Sequence, residues 1–167
     1  MAPLQQRAAA IRLCVFDVDG VFTDGRLTFD ANGVEIKTFF VRDGYGIKAL
    51  SAAGVHVAVI SGRRSEAVSR RMQELGVTRV FQGDDDKLPI FRALVDELGV
   101  AREQVAYVGD DVLDIPVLKE SGLPIAVADA HPAVRAVTHW TTPSPGGRGA
   151  VRDVCDLLLS ARAGDRR

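Results

Sequence analysis

Ile11-Arg-Leu-Cys-Val-Phe-Asp17-Val-Asp19-Gly20 is an apolar run that ends on two carboxylates and a glycine. Residues 11–16 are apolar at nearly every position instead of alternating. A run of that kind fits a strand buried on both faces of its sheet. Working outward, similar runs recur at residues 55–60, 79–81, 104–108, 123–127 and 137–140. Helical patterns separate them, at 44–53, 65–75, 87–98, 112–120 and 149–161. Strands alternating with helices predict an α/β fold, doubly wound around a mainly parallel sheet. One segment breaks the alternation. Residues 26–41 carry the turn Ala31-Asn-Gly33 between two strand-like runs and read as a β-hairpin projecting from the sheet.

The chain has 167 residues, which predicts a single domain over 1–167, with 162–167 as a frayed tail. Lys and Arg total 21 against 22 Asp and Glu, and 47% of residues are apolar. That balance excludes a disordered chain and lacks the basic excess of a nucleic-acid or membrane-surface binder. The longest stretch free of Asp, Glu, Lys and Arg is 49–62, too short and too polar to span a bilayer. The amino terminus has no signal-peptide pattern, so a cytoplasmic location is the expectation. Cys14 and Cys155 have no metal or redox spacing and read as buried thiols.

In open α/β sheets ligands bind beyond the carboxyl ends of the strands. There the sequence collects Asp17 and Asp19, then Ser61-Gly-Arg63, then Asp84 to Lys87, then Gly109-Asp-Asp-Val-Leu-Asp114. Two aspartates leaving one buried strand cannot both stay ionised without compensation. Oxygen donors without Cys or His point to a hard divalent cation, Mg²⁺ first, with Asp110 as a third ligand. Such a site suits attack by a carboxylate on phosphorus, with the second Asp moving the proton. Ser61 and Lys87 would hold phosphoryl oxygens.

These motifs together resemble the haloacid dehalogenase superfamily of phosphatases. Further runs narrow the likeness: Val41-Arg-Asp-Gly-Tyr-Gly46, Tyr107-Val-Gly-Asp-Asp111, Ala126-Val-Ala-Asp-Ala-His-Pro132, and Gly146-Gly-Arg-Gly-Ala-Val151 through Cys155-Asp-Leu157. They are similar to the branch that hydrolyses the sugar-acid phosphate 3-deoxy-D-manno-octulosonate 8-phosphate in lipopolysaccharide synthesis. The resemblance spans residues 11–159. It implies a Rossmann-like fold without a cap domain. Asp17 is then nucleophile and metal ligand. Asp19 is acid/base, metal ligand through its main-chain carbonyl, and a substrate contact. Asp110 completes the metal ligands, and Asp111 and Asp114 lie behind them or orient Lys87. Phe40, Val41, Arg42, Asp43, Gly44, Lys48, Arg63, Arg71 and Lys87 line the sugar-acid pocket. Arg63 and Arg71, eight apart, are expected on one helix face. Phe40 stands where relatives often carry Asn, and Lys48 where they often carry Arg.

Cap domains of this superfamily follow the first or second motif, and here neither interval is long enough to hold one. The hairpin carries Leu27, Phe29, Val34, Ile36, Phe39 and Val41, too apolar to stand alone in solvent. Relatives form tetramers around such hairpins, so a homotetramer is expected. The rival readings are a phosphatase for a related nine-carbon sugar acid, a signalling receiver domain, and a regulatory module without turnover. A receiver carries its acidic pair and phosphorylated Asp on different strands, whereas Asp17 and Asp19 share one.

Overall fold

The computed structural model describes residues 3–164. Strand β1 (Leu13–Phe16) is fully buried. It pairs in parallel with β4 (His56–Ser61) on one side and β6 (Val105–Gly109) on the other. Beyond β4 lies β5 (Arg79–Gln82); beyond β6 lie β7 (Leu123–Ala126) and β8 (Trp140–Thr141). The order β5-β4-β1-β6-β7-β8 is parallel throughout. The chain winds outward from β1 to β5, then crosses back and winds the other way. Right-handed crossovers therefore set the helices of the two winding directions on opposite faces. Helices α2 (Val41–Ala52) and α7 (Ala150–Gly164) pack together, with α1 (Leu4–Ala10) against α7. Helices α4 (Lys87–Leu98) and α5 (Ile115–Glu120) form the other layer. Helix α3 (Glu66–Leu75) ends on Gly76, in the left-handed region at φ 75°.

Phe16, Phe22, Phe91 and Tyr107 are the largest fully or almost fully buried side chains. Phe16 meets Phe22, and Phe91 meets Tyr107, each edge to face. The two thiols are buried as expected, and burial raises both well above the usual range.

The hairpin exists, but its pairing is short. β2 (Thr28–Phe29) and β3 (Glu35–Ile36) form an antiparallel pair apart from the main sheet. The Asp30 carboxylate closes the turn by accepting from the N–H groups of Asn32 and Val34, each at 2.8 Å. Val41 is not a hairpin residue. The extended Phe40 caps a helix that begins at Val41, three residues before its expected start. The carboxyl-terminal segment also differs from a frayed tail. Helix α7 continues to Gly164, and Arg162 donates to the carbonyls of Ile11 and Ala53. Residues 165–167 lie outside the described part. Two short helices carry no strong sequence signal. Helix α1 has no side-chain cap and is held by packing, and α6 (Pro132–Arg135) spans one turn.

Candidate active site

The crevice opens where the winding reverses, at the carboxyl ends of β1, β4 and β6. Asp17 follows β1 directly, and its N–H bonds the Val108 carbonyl at 2.9 Å. The next residues turn tightly: the N–H groups of Val21, Phe22 and Thr23 all reach the Val18 carbonyl. Thr23 Oγ1 accepts from Gly20 and Gly25, and Asp24 accepts from the Arg26 N–H at 3.1 Å, as a turn-former does. Gly20 has φ 85°, and a Cβ there would lie 2.0 Å from Asp110 Oδ2. Only glycine lets this loop close onto Asp110.

The proline- and glycine-rich stretch after β8 is tied down beneath this loop. Gly147 N–H bonds the Val21 carbonyl at 3.0 Å, and Gly146 N–H bonds the Asp129 carboxylate at 2.9 Å. Ser144 N–H bonds the Asp153 carboxylate at 2.8 Å.

A cleft of about 250 Å³ is lined by Asp17, Asp19, Ser61, Arg63, Lys87 and Asp110, with Gly25, Gly62, Asp85, Asp111, Leu113 and Asp114. Ser61 is the last residue of β4, and its Oγ accepts weakly from Arg63 N–H at 3.4 Å. Ser65 precedes α3 without a side-chain capping bond, and Ser61 lines the cleft. Lys87 opens α4, and its ammonium lies 2.9 Å from Asp17 Oδ1 and 2.8 Å from Asp114 Oδ1.

Asp114 is the hub. Its Oδ1 accepts from Lys87 and from the Tyr107 hydroxyl at 2.7 Å, and its Oδ2 accepts from the N–H groups of Asp110 and Asp111. A Cβ at position 109 would lie 2.5 Å from Asp114, so Gly109 leaves the space for it. Tyr107 reads as a core residue from sequence; no signal there announces its hydroxyl. Burial first, then Asp114, drives its pKa well above the usual range, so it stays a donor.

Oxygens of Asp17, Asp110 and Asp114 lie within 4.8 Å of one another, with one ammonium among them. Burial, then the charge of Asp114, raises Asp17 to about 7 against the pull of Lys87. Burial, then Asp17 and Asp114, raises Asp110 to about 8. For Lys87 the neighbouring carboxylates outweigh desolvation and raise it. Among the described residues, Asp110 Oδ1 is one of two buried side-chain oxygens with no hydrogen-bond partner. Such an oxygen is costly unless something fills its place. Surplus negative charge, oxygen donors and an orphaned carboxylate oxygen fit a hard divalent cation held by Asp17 and Asp110. The four bonds of Asp114 suit it to orienting Lys87 and the Asp110 loop.

Other expected site residues stand elsewhere. Arg63 and Arg71 do not share a helix face. Arg63 lies in the loop before α3, because Ser65 is the cap, and its guanidinium reaches Glu35 at 3.1 Å and Asp19 at 3.7 Å. Arg71, within α3, bonds Glu74 and presses on Gly44, where a Cβ would lie 2.3 Å from Nη2. Phe40, Val41, Arg42, Asp43, Gly44, Lys48 and Arg71 are absent from the lining of the cleft. All but Arg71 lie on α2 or at its cap, and Arg71 packs against its first turn at Gly44. The guanidinium of Arg42 stacks over Phe40 at 5.7 Å, and Val41 and Lys48 are exposed. Asp43 is buried and accepts from Arg152 N–H at 2.9 Å, near the start of α7. Burial raises it to about 6. Lys37, which sequence reasoning passes over, bonds Asp19.

The fold and this rim define a class. The profile of the haloacid dehalogenase-like hydrolases matches residues 34–122, and the chain belongs to that family. More particular relatives share nearly its whole length. A 3-deoxy-D-manno-octulosonate 8-phosphate phosphatase from Yersinia pestis is 50% identical over 157 residues, 94% of this chain and 84% of the relative. A crystal structure of such a phosphatase from Moraxella catarrhalis, in complex with magnesium, phosphate and the sugar acid, superposes with a TM-score of 0.94. It is 41% identical and covers 96% of this chain and 92% of the other. The cobalt-bound Haemophilus influenzae phosphatase superposes at 0.91 and 43% identity, covering 95% and 92%.

Proposed function

We propose that this chain hydrolyses 3-deoxy-D-manno-octulosonate 8-phosphate to the free sugar acid and phosphate, with Mg²⁺ as cofactor. The observation that carries the reading is the Asp17–Lys87–Asp110–Asp114 cluster at the sheet's switch point, in a chain half identical to a phosphatase of that name. An Asp17 oxygen attacks phosphorus and the bond to the sugar oxygen breaks. Asp19 gives that oxygen its proton. Asp19 then takes a proton from the water that attacks the aspartyl phosphate, and Asp17 is released. Lys87 and the Ser61 hydroxyl hold phosphoryl oxygens, and Asp114 keeps Lys87 aimed. Mg²⁺, held by the Asp17 and Asp110 carboxylates and the Asp19 carbonyl, would offset phosphoryl charge.

The assembly is part of the proposal. Leu27, Phe29, Val34, Ile36, Val41 and Tyr45 are large apolar side chains left at least half exposed. A homotetramer built on the hairpins would cover them and bring a neighbour's α2 patch, with Arg42, Lys48 and Arg71, toward the open cleft. The reaction would then stand in the cytoplasmic supply of a lipopolysaccharide sugar. The test is phosphate release from the purified protein across a panel of sugar-acid phosphates, with and without EDTA. The eight-carbon 8-phosphate should be preferred, and EDTA should abolish turnover. Equal rates on all substrates would overturn the substrate assignment.

A further inference from the structure

We propose that Lys37 is the positioning residue for the Asp19 carboxyl group. The inference rests on the reading of Asp19 as proton donor and acceptor. It starts from how differently the carboxylates of the cleft are held. Asp17 accepts from Val18 N–H at 2.7 Å and pairs with Lys87 at 2.9 Å. Asp114 has four donors. Asp19, among the described residues, has two side-chain partners: the Lys37 ammonium and, at 3.7 Å, Arg63 Nε. No backbone N–H among the described residues holds its carboxylate.

Lys37 is unusual for its place in the fold. The hairpin is largely exposed, yet the Lys37 side chain is only 2% exposed. Its ammonium lies between Asp19 and Glu35, the latter at 3.1 Å. Arg63 touches the same two carboxylates, 3.1 Å from Glu35 and 3.7 Å from Asp19. Two anions and two cations thus alternate around a closed ring. A buried ammonium with two carboxylate partners is well satisfied and fixes the groups it touches. Glu35 in β3 and Lys37, just past the strand's end, both meet Arg63 or Asp19 in this ring, while Ile36 between them is exposed. The hairpin therefore reaches into the cleft of its own chain at Asp19. Arg63, nearly half exposed and at the longer distance, holds that carboxylate less firmly. Proton transfer needs a heavy-atom approach of about 3 Å. A misplacement of roughly 1 Å can cost about 100-fold.

The experiment compares aryl monophosphates of similar size and graded leaving-group acidity, from phenyl to 4-nitrophenyl phosphate, on the Mg²⁺-loaded protein. kcat/KM reports the first transfer to Asp17, and a good leaving group needs little help from a proton. Lys37→Met should lower kcat/KM for phenyl phosphate about 30- to 100-fold and for 4-nitrophenyl phosphate less than about threefold. Lys37→Arg should restore most of the loss. A uniform loss across the series would overturn the proposal, since a strut for the hairpin or a contact to phosphate lowers every substrate alike. Asp19→Asn is the control. If it steepens the dependence and Lys37→Met does not, Lys37 has no positioning role. If neither does, the reading of Asp19 itself fails. A crystal structure of Lys37→Met gives the second readout: the Asp19 carboxyl group should be rotated from its wild-type place, and an unmoved group would contradict the proposal.

Discussion

The rim of the sheet and the hairpin touch at Asp19, yet they are built on opposite terms. At the rim Lys87 and Asp114 are over-determined. Lys87 has two carboxylates, Asp114 has four donors, and Gly20 and Gly109 carry no side chain where one would collide. Asp110 differs: among the described residues its Oδ1 has no hydrogen-bond partner. The hairpin has a two-residue ladder and large apolar side chains about half exposed. One region carries a cluster fit for a cation; the other carries the apolar surface on which the proposed assembly rests. The two regions can therefore be perturbed one at a time, and the readouts compared.

The largest expected effect lies at the rim. Asp17→Asn should lower turnover at least ~1,000-fold, by removing the nucleophile, while the metal-free protein melts no lower than wild type. Lower stability would show that Asp17 holds the fold together. Next comes Asp114→Ala. It leaves Lys87 with Asp17 alone, strands the Tyr107 hydroxyl and two backbone N–H groups, and should destabilise by about 2–4 kcal/mol in urea titrations. Activity should fall ~100-fold as Lys87 loses its aim.

On the hairpin side, the proposed tetramer of 17.9 kDa chains should sediment as a single chain in Phe29→Asp with Ile36→Asp. Calorimetric Mg²⁺ binding should survive that change. Turnover of the sugar-acid phosphate should drop roughly tenfold, the loss expected when a neighbour no longer positions the substrate. An unchanged mass would remove the hairpin from the interface.

The smallest effect is a pH dependence. Asp17 and Asp110 stand at about 7 and 8 in the fold, raised first by burial, against an ordinary value of 3.8. Between roughly pH 4 and 8 the folded chain binds protons that the unfolded chain does not, so the cluster's contribution to stability falls as pH rises through that window. The metal-free protein should lose stability from pH 5.5 to 8.5 relative to Asp110→Asn. Mg²⁺, which needs both carboxylates ionised, should bind more tightly as pH rises and remove the difference.

What could be read from the chain divides along the same line. Strand-end motifs are local, so β1 with Asp17, β4 with Ser61 and β6 with Asp110 were legible, because a parallel sheet must bring those ends together. The turn at Ala31-Asn-Gly33 was legible too. The end of the hairpin was not, because extended Phe40 starts a helix at Val41 and no polar cap marks it. The eight-residue spacing of Arg63 and Arg71 suits one helix face only if the helix begins by Arg63, and α3 begins at Glu66. Lys37 was invisible, since a lysine on a short exposed hairpin ordinarily stays in solvent. Only the folded chain shows it buried between carboxylates. The hydroxyl of Tyr107 was hidden for the converse reason, lying within a run that looks wholly apolar.

The most direct test of the account is to trap the covalent intermediate. The Mg²⁺-loaded protein would be mixed with substrate, quenched in acid within milliseconds, reduced with borohydride and mapped by mass spectrometry. Conversion of Asp17 alone to homoserine is the expected result. An unmodified Asp17 during turnover, or a modification at any other carboxylate, would contradict it.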